Sequence, residues 1–117
     1  MTGILSYGAY IPKTRLPLSV IGGRPPKEGG PEKAVAWNDE DAITLGAAAG
    51  IHCLEGIDRS CVDMLLFAST TQPFQEKQAA ALLARVLDLG RHVQTADHTG
   101  SQETHWRSLS RQKCSLP

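Results

Sequence analysis

The chain has 117 residues, 41% of them hydrophobic, with twelve Lys and Arg balanced by twelve Asp and Glu. That length holds one small domain and is too short for two ordinary ones. A formal charge of zero argues against a dedicated nucleic-acid binder, which carries a basic excess on one face, and leaves an anionic small ligand open.

In chain order, residues Gly3 to Ile11 mix apolar and small side chains and are expected to form a first strand, stopped by Pro12. LPLSVIGG suits one short helical turn. GGRPPKEGGPEKAVAW, with four Gly and three Pro, reads as a surface loop. NDEDAITLGAAAGIHCLEGI predicts a helix with Asn38 as N-cap. Asp39, Glu40 and Asp41 are then placed at the positive end of its dipole. Ile43, Ala47, Gly50, Ile51 and Leu54 make its apolar face, and Gly56 ends it.

VDMLLFAS, Val62 to Ser69, is a short, nearly continuous apolar run of the kind buried on both faces of a parallel sheet. TTQP is the loop after it. FQEKQAAALLARVLDLG predicts a second helix, with Ala79, Leu82, Leu83, Val86 and Leu87 on its inner side and Gly90 as the stop. HVQTAD, His92 to Asp97, is the third strand. Strand, helix, strand in that order is a βαβ unit, whose functional loops lie at the strand C-termini. Thr70 to Pro73 and His98 to Gln102 are the two loops so placed. The fold class expected is therefore α/β.

No disulfide framework is indicated. The three cysteines, Cys53, Cys61 and Cys114, are odd in number and lack CxxC spacing, which favours unpaired thiols in a reducing compartment. MTGILSYGAYIP has no basic n-region and no long apolar h-region, and no run approaches the length of a membrane span. A cytoplasmic protein without membrane or nucleic-acid partners is the expectation.

Four stretches taken together are informative: GILSYGAYIPKTRLPLSVI, GPEKAV…DEDAITLGAAAG, DRSCVDMLLFASTTQPFQEKQAAALLARVLDL and QTADHTGS. In this order and spacing they resemble the N-terminal part of the hydroxymethylglutaryl-CoA synthase-like proteins. These belong to the thiolase-like superfamily and are related to the type III ketoacyl synthases. The resemblance runs from about Gly3 to Ser101 and covers the opening third or less of a typical member. It implies a layered α/β/α domain with a mixed sheet, partial here over 1–101. It also implies acyl-CoA condensation, with acyl-CoA as substrate, no separate cofactor, no metal, and a homodimer for the full-length protein.

In that family an acetyl group carried on a cysteine is joined to an acyl-CoA. The thiol is activated at a helix N-terminus, and a glutamate acts as general acid and base. The family's Glu-Ser-x-Pro-Tyr/Phe…Lys pattern falls on Thr70, Thr71, Gln72, Pro73, Phe74 and Lys77. Pro73, Phe74 and Lys77 agree, whereas the glutamate position is Thr70. The cysteine position falls on Ser101 or Gln102, and neither is a thiol. The family's later histidine and asparagine have no counterpart. The chain itself is therefore expected to be inactive, and a non-catalytic binding or assembly protein of the same superfamily is the alternative.

After Ser101 the pattern changes. QETHWRSLSRQKCSLP shares nothing with the Ala- and Gly-rich helix that the family continues with, and a shifted reading frame or truncated gene model would produce such a break. Residues 102–117 read as a disordered tail. Its Trp106, Arg107, Arg111 and Lys113 fit that reading better than a phosphate or nucleic-acid patch.

The remaining chemistry-bearing residues favour structural roles. His52 and Cys53 are adjacent on a helix and point about 100° apart, which suits one metal ion poorly. Cys61 reads as a small, partly buried residue and His92 and His98 as solvated. Asp97 reads as a turn-former. Ser101 with His98 or His105 and Asp97 lacks any G-x-S-x-G context for a triad. Gly22-Gly23 and Gly29-Gly30 do not make a phosphate-binding loop.

Overall fold

The structure is a computed structural model and describes residues 2–99. Residues 15–34 form a small unit. Strand β1 (Arg15–Pro17) pairs antiparallel with β2 (Glu32–Ala34), and the helical turn α1 (Leu18–Ile21) follows β1 directly. The expected turn at LPLSVIGG is thus present, while Glu32–Ala34, expected as loop, forms a strand. Its three residues lie after Pro31, and the proline of the partner strand, Pro17, pairs with Glu32 at the end of the ladder, where a missing N–H is tolerated.

Helix α2 (Ala42–Cys53) starts later than expected. Its N-cap is Asp41, not Asn38. One Asp41 carboxylate oxygen accepts from the N–H groups of Ile43 and Thr44, both at 2.9 Å, and the Thr44 hydroxyl accepts from Asp41 N–H at 2.8 Å. This is a reciprocal capping box. Residues 37–40 are taken by a turn closed by Glu40 N–H on Trp37 C=O, so Asp39 and Glu40 precede the helix.

The apolar face of α2 is also narrower than the periodicity suggests. Ile43 is buried, but Ile51 is 53% exposed. Close approach is made by glycines. A Cβ on Gly46 would stand 3.1 Å from the Phe67 ring, and one on Gly50 would stand 2.9 Å from Leu87 Cδ1.

A 3₁₀ turn (Arg59–Cys61) leads into β3 (Met64–Ala68). Asp58 opens it by accepting from Ser60 N–H at 3.0 Å, and that backbone bond holds the carboxyl below its ordinary value. Arg59 Nε donates to Leu87 C=O at 2.8 Å, so it satisfies one of the orphan carbonyls at the end of the next helix.

Strand β3, helix α3 (Ala79–Val86) and strand β4 (Gln94–His98) form the expected βαβ unit. β3 and β4 are parallel, with Met64 opposite Gln94 and Ala68 opposite His98. The two sheets of the described residues are separate, one antiparallel and one parallel.

Helix α3 is shorter than its sequence pattern, and its inner face is rotated. Ala79, Ala80, Leu83, Ala84 and Leu87 are buried, whereas Val86 is half exposed. The helix ends before Gly90. Leu87 is the C-cap and Asp88 takes the left-handed conformation, with φ of 56°. Leu89 N–H bonds to Ala84 C=O at 2.9 Å and Asp88 N–H to Arg85 C=O at 3.1 Å. This is a Schellman motif, and Leu89 packs on Ala84 as that motif requires.

An L-residue in this conformation costs about 1 kcal/mol relative to glycine. Asp88→Gly is therefore expected to stabilise the chain by about that amount, read as a higher urea midpoint; an unchanged or lower midpoint contradicts the assignment.

The core lies between α2, α3 and the inner face of the parallel pair. One cluster joins Ile43, Ala79 and Leu83 with Phe67 and Leu65; the other joins Ala84, Leu87 and Leu89 with Leu54, Val62 and Val93. No large side chain among the described residues is fully enclosed, and Ile4, Leu5, Tyr7, Ile11, Trp37 and Ile51 are largely exposed.

The first strand, expected over Gly3–Ile11, is not in a ladder. The segment is held against the last turn of α2 instead. Ser6 Oγ donates to Cys53 C=O at 2.8 Å, and His52 Nδ1 lies 3.2 Å from Ala9 N and 3.3 Å from Ala9 O. Gly8 permits this approach, because a Cβ there would strike Cys53 N and lie 2.6 Å from Ala49 O. A strand forms only where another strand supplies partners, and none of the described residues does so. No helix of the described residues is long and apolar enough to cross a membrane.

Candidate functional site

The C-terminal ends of β3 and β4 are fastened together by Ser69 N–H donating to His98 C=O at 3.0 Å. Beyond this point β3 enters a polar turn. Ser69 Oγ accepts from Thr71 N–H at 3.1 Å and lies 3.4 Å from the Thr71 hydroxyl. A cleft of about 610 Å³ opens there between the end of β3 and the first turn of α2. Ser69, Thr71, Phe67, Gly46, Ala42 and Asp41 are on its walls. One oxygen of the Asp41 carboxylate is engaged in capping α2, and the other, with the hydroxyls of Ser69 and Thr71, makes up the cleft's polar side-chain groups.

Thr70, which occupies the family's glutamate position by resemblance, stands exposed in this turn between the two residues that line the cleft. Phe74 and Lys77 are brought together: Lys77 Nζ lies 5.2 Å from the centre of the Phe74 ring, within the range of a cation–π contact. Gln72 has its amide nitrogen buried without a hydrogen-bond partner among the described residues, and the same holds for Glu40 Oε2 and His98 Nε2. Ser101 and Gln102, the candidate cysteine positions, lie outside the described residues. So do His105, Cys114 and the whole of 102–117.

Asp97 and His98 depart from their expected roles. Asp97 does not form a turn. Its two carboxylate oxygens accept from Ala79 N–H and Ala80 N–H, each at 2.7 Å, and so cap α3 from β4. Beside it, Gln78 Nε2 donates to Thr95 C=O and Thr95 Oγ1 donates to Gln78 Oε1, both at 3.0 Å. The helix N-terminus supplies orphan N–H groups and partial positive charge, and a carboxylate answers both. Sequence reasoning missed this because cap and helix are separated by 17 and 18 residues. His98 is not a solvated loop residue but the last residue of β4, half-buried.

The described thiols stand away from the cleft. Cys53 is half-buried at the far end of α2, about 16 Å along the axis from Ala42. Cys61 is exposed and not partly buried as expected, because the 3₁₀ turn carries it to the surface. His52, next to Cys53, is used by the backbone of Ala9. No group of three or more His, Cys, Asp or Glu side chains among the described residues is placed to hold a metal ion.

No family profile matches the chain. Among curated proteins, it is 35% identical over 99 residues to a hydroxymethylglutaryl-CoA synthase from Thermococcus gammatolerans, a match covering 81% of this chain. It is 33% identical over 99 residues to the same enzyme from Pyrococcus furiosus. The chain spans only 28% of the length of these relatives.

Among solved structures, 3-oxoacyl-[acyl-carrier-protein] synthase III from Aquifex aeolicus superposes with a TM-score of 0.79 at 19% identity, over 94% of this chain and 38% of that protein. MvaS in complex with 3-hydroxy-3-methylglutaryl coenzyme A superposes with a TM-score of 0.68 at 25% identity, over 83% of this chain and 26% of MvaS. The βαβ unit, the turn after β3 and these likenesses point the same way: the chain corresponds to an N-terminal part of the hydroxymethylglutaryl-CoA synthase-like proteins and has the fold of the type III ketoacyl synthases over that part.

Proposed function

We propose that the parent of this chain is a hydroxymethylglutaryl-CoA synthase-like acyltransferase acting on acyl-CoA thioesters, and that residues 1–117 do not catalyse condensation by themselves. Thr70 carries the second half of this reading. The turn after β3 presents three consecutive hydroxyls, Ser69, Thr70 and Thr71, where the resemblance places a glutamate. A hydroxyl orients a carbonyl or a water by hydrogen bonding. It does not shuttle a proton near neutral pH, which is what the carboxylate supplies in acid–base catalysis. The cysteine position, Ser101 or Gln102, likewise offers no thiol.

Incubation of the chain with acetyl-CoA is expected to leave its intact mass unchanged. Stoichiometric addition of one acetyl group, stable through denaturation, would contradict the reading. A second reading is supported by Thr70 itself, which lies inside the region matched to the curated relatives: a thiolase-like protein that binds or assembles and does not condense. A longer parent sequence with threonine in this turn and no thiol at either candidate position, Ser101 or Gln102, selects this second reading; one with a thiol at either place selects the first.

A further inference from the structure

The cleft between the end of β3 and the first turn of α2 has an apolar body and a polar end. Leu45, Gly46, Phe67 and Ala68 make the body. Three side-chain oxygens make the polar end: the hydroxyls of Ser69 and Thr71, and the Asp41 oxygen that is not used in capping. No Lys, Arg or His lies in its walls.

Each of these oxygens is free to accept a hydrogen bond. Both cap bonds of Asp41, from Ile43 N–H and Thr44 N–H, end on Oδ1, so Oδ2 keeps its lone pairs. Ser69 Oγ accepts once, from Thr71 N–H, and a hydroxyl oxygen has two lone pairs. The Thr71 hydroxyl lies 3.4 Å from Ser69 Oγ and has no other side-chain partner among the described residues.

Charge sets the sign of what fits. The N-terminus of α2 carries about half a positive charge, and the Asp41 carboxylate alone exceeds it. Glu40, which precedes it, adds a second carboxylate, whose Oε2 is buried without a hydrogen-bond partner among the described residues. A carboxylate oxygen buried without a donor is costly, and a nearby cation lowers that cost. Anions are repelled here.

We propose that this cleft binds a primary alkylammonium, with its nitrogen donating to Asp41 Oδ2, Ser69 Oγ and Thr71 Oγ1 and its stem lying on Leu45, Phe67 and Ala68. A primary ammonium has three N–H donors and no acceptor, which matches three acceptor oxygens. A guanidinium carries more donors, in a flat fork, than the cleft has acceptors, and a quaternary ammonium has none. The apolar walls favour a cation with an alkyl stem over a bare inorganic ion, because each buried methylene adds to the hydrophobic gain. The inference goes beyond the acyltransferase reading and does not rest on it, since neither Thr70 nor the cysteine position takes part.

Amide chemical shifts of the full chain, titrated with n-pentylammonium chloride at low ionic strength, test this. Saturable shifts are expected at Ala42, Gly46, Ser69 and Thr71, and added salt is expected to weaken them. Pentyltrimethylammonium has the charge without N–H donors, and n-pentanol has the stem without the charge. Each is expected to bind about tenfold more weakly or worse. Asp41→Asn keeps an oxygen that caps α2 and is expected to weaken pentylammonium binding about tenfold or more. Thr71→Val removes one acceptor, leaves the Thr71 N–H bond to Ser69 in place, and is expected to weaken binding about threefold or more. Asp63→Asn, just before β3 and so at the opposite end of the strand, is expected to change nothing.

Shifts that do not saturate, or that fall outside the cleft, overturn the proposal. Equal binding of pentyltrimethylammonium or pentanol overturns it, as does full affinity in Asp41→Asn or Thr71→Val. Thr71→Val and the ligand series decide the outcome if Asp41→Asn does not fold. Acetyl-CoA is expected not to displace the amine. Displacement overturns the cation site, whereas acetylation of the chain contradicts only the expectation that residues 1–117 are inactive.

Discussion

Leu83→Ala is expected to destabilise the chain by about 2–5 kcal/mol, the range for removing a buried leucine side chain and leaving part of its cavity. Leu83 is 3% exposed on the inner face of α3. It packs in one cluster with Ile43 of α2, Ala79 of its own helix, and Leu65 and Phe67 of β3, so it joins both helices to β3. The buried apolar set of the described residues contains three leucines, one isoleucine and three alanines. Removing one leucine from so small a set takes a large share of the stability of a domain that starts with only about 5–15 kcal/mol.

Urea unfolding followed by far-UV circular dichroism reads the effect as a lower midpoint. Val86→Ala, on the exposed side of the same helix, controls for helix propensity and is expected to stay within about 0.5 kcal/mol of wild type. Equal effects of the two substitutions would show that α3 does not bury the face assigned to it.

Asp97→Ala is expected to cost about 2–3 kcal/mol. Two short hydrogen bonds to a carboxylate are lost at once, and the N–H groups of Ala79 and Ala80 are left without a partner at a site where both residues are buried. The consequence reaches beyond the helix end. Asp97 belongs to β4, so its bonds also hold α3 on the parallel pair, together with the reciprocal contact between Gln78 and Thr95.

Asp97→Asn keeps one acceptor oxygen and the shape of the side chain, and is expected to recover part of the loss. Amide exchange at Ala79 and Ala80 separates a cap from a general packing role: both protons should exchange faster in Asp97→Ala than in Leu83→Ala at matched global stability. If Asp97→Ala unfolds at the wild-type urea concentration, the carboxylate is not the cap.

These two residues also show how the bare surface arises. Core contacts run from α3 to β3 and α2, while Leu5, Tyr7 and Ile11 of segment 2–13, Trp37, and Ile51 of α2 are left mostly exposed among the described residues. Since the chain spans 28% of its curated relatives, such faces are what a part of a larger layered fold presents.

The order of elements was legible from residue pattern alone. The continuous run around MLLFA, the small-residue helix before it and the Ala- and Leu-rich helix after it give a βαβ unit directly, since a continuous apolar run and helical spacing leave different marks on a sequence, although the burial of both faces expected for β3 is not met, Met64 and Ala68 being exposed. The motif resemblance likewise named the family, because order and spacing survive where single residues do not. Helix ends were legible only in part. Local caps compete within a few residues, and the turn at 37–40 moved the start of α2 from Asn38 to Asp41. The end of α3 fell on Asp88 because Leu89 reaches a buried contact there, which local propensity alone would have assigned to Gly90.

What only the tertiary structure decided are the contacts between residues far apart in the chain. Asp97 on the N–H groups of Ala79 and Ala80, Arg59 on Leu87 and His52 on Ala9 have no signature in sequence, since the partner of each is set by how elements pack. The same reason left Gly3–Ile11 without a ladder. A strand pattern records which residues suit a sheet, and whether a neighbouring strand is there to complete it is a property of the assembled fold.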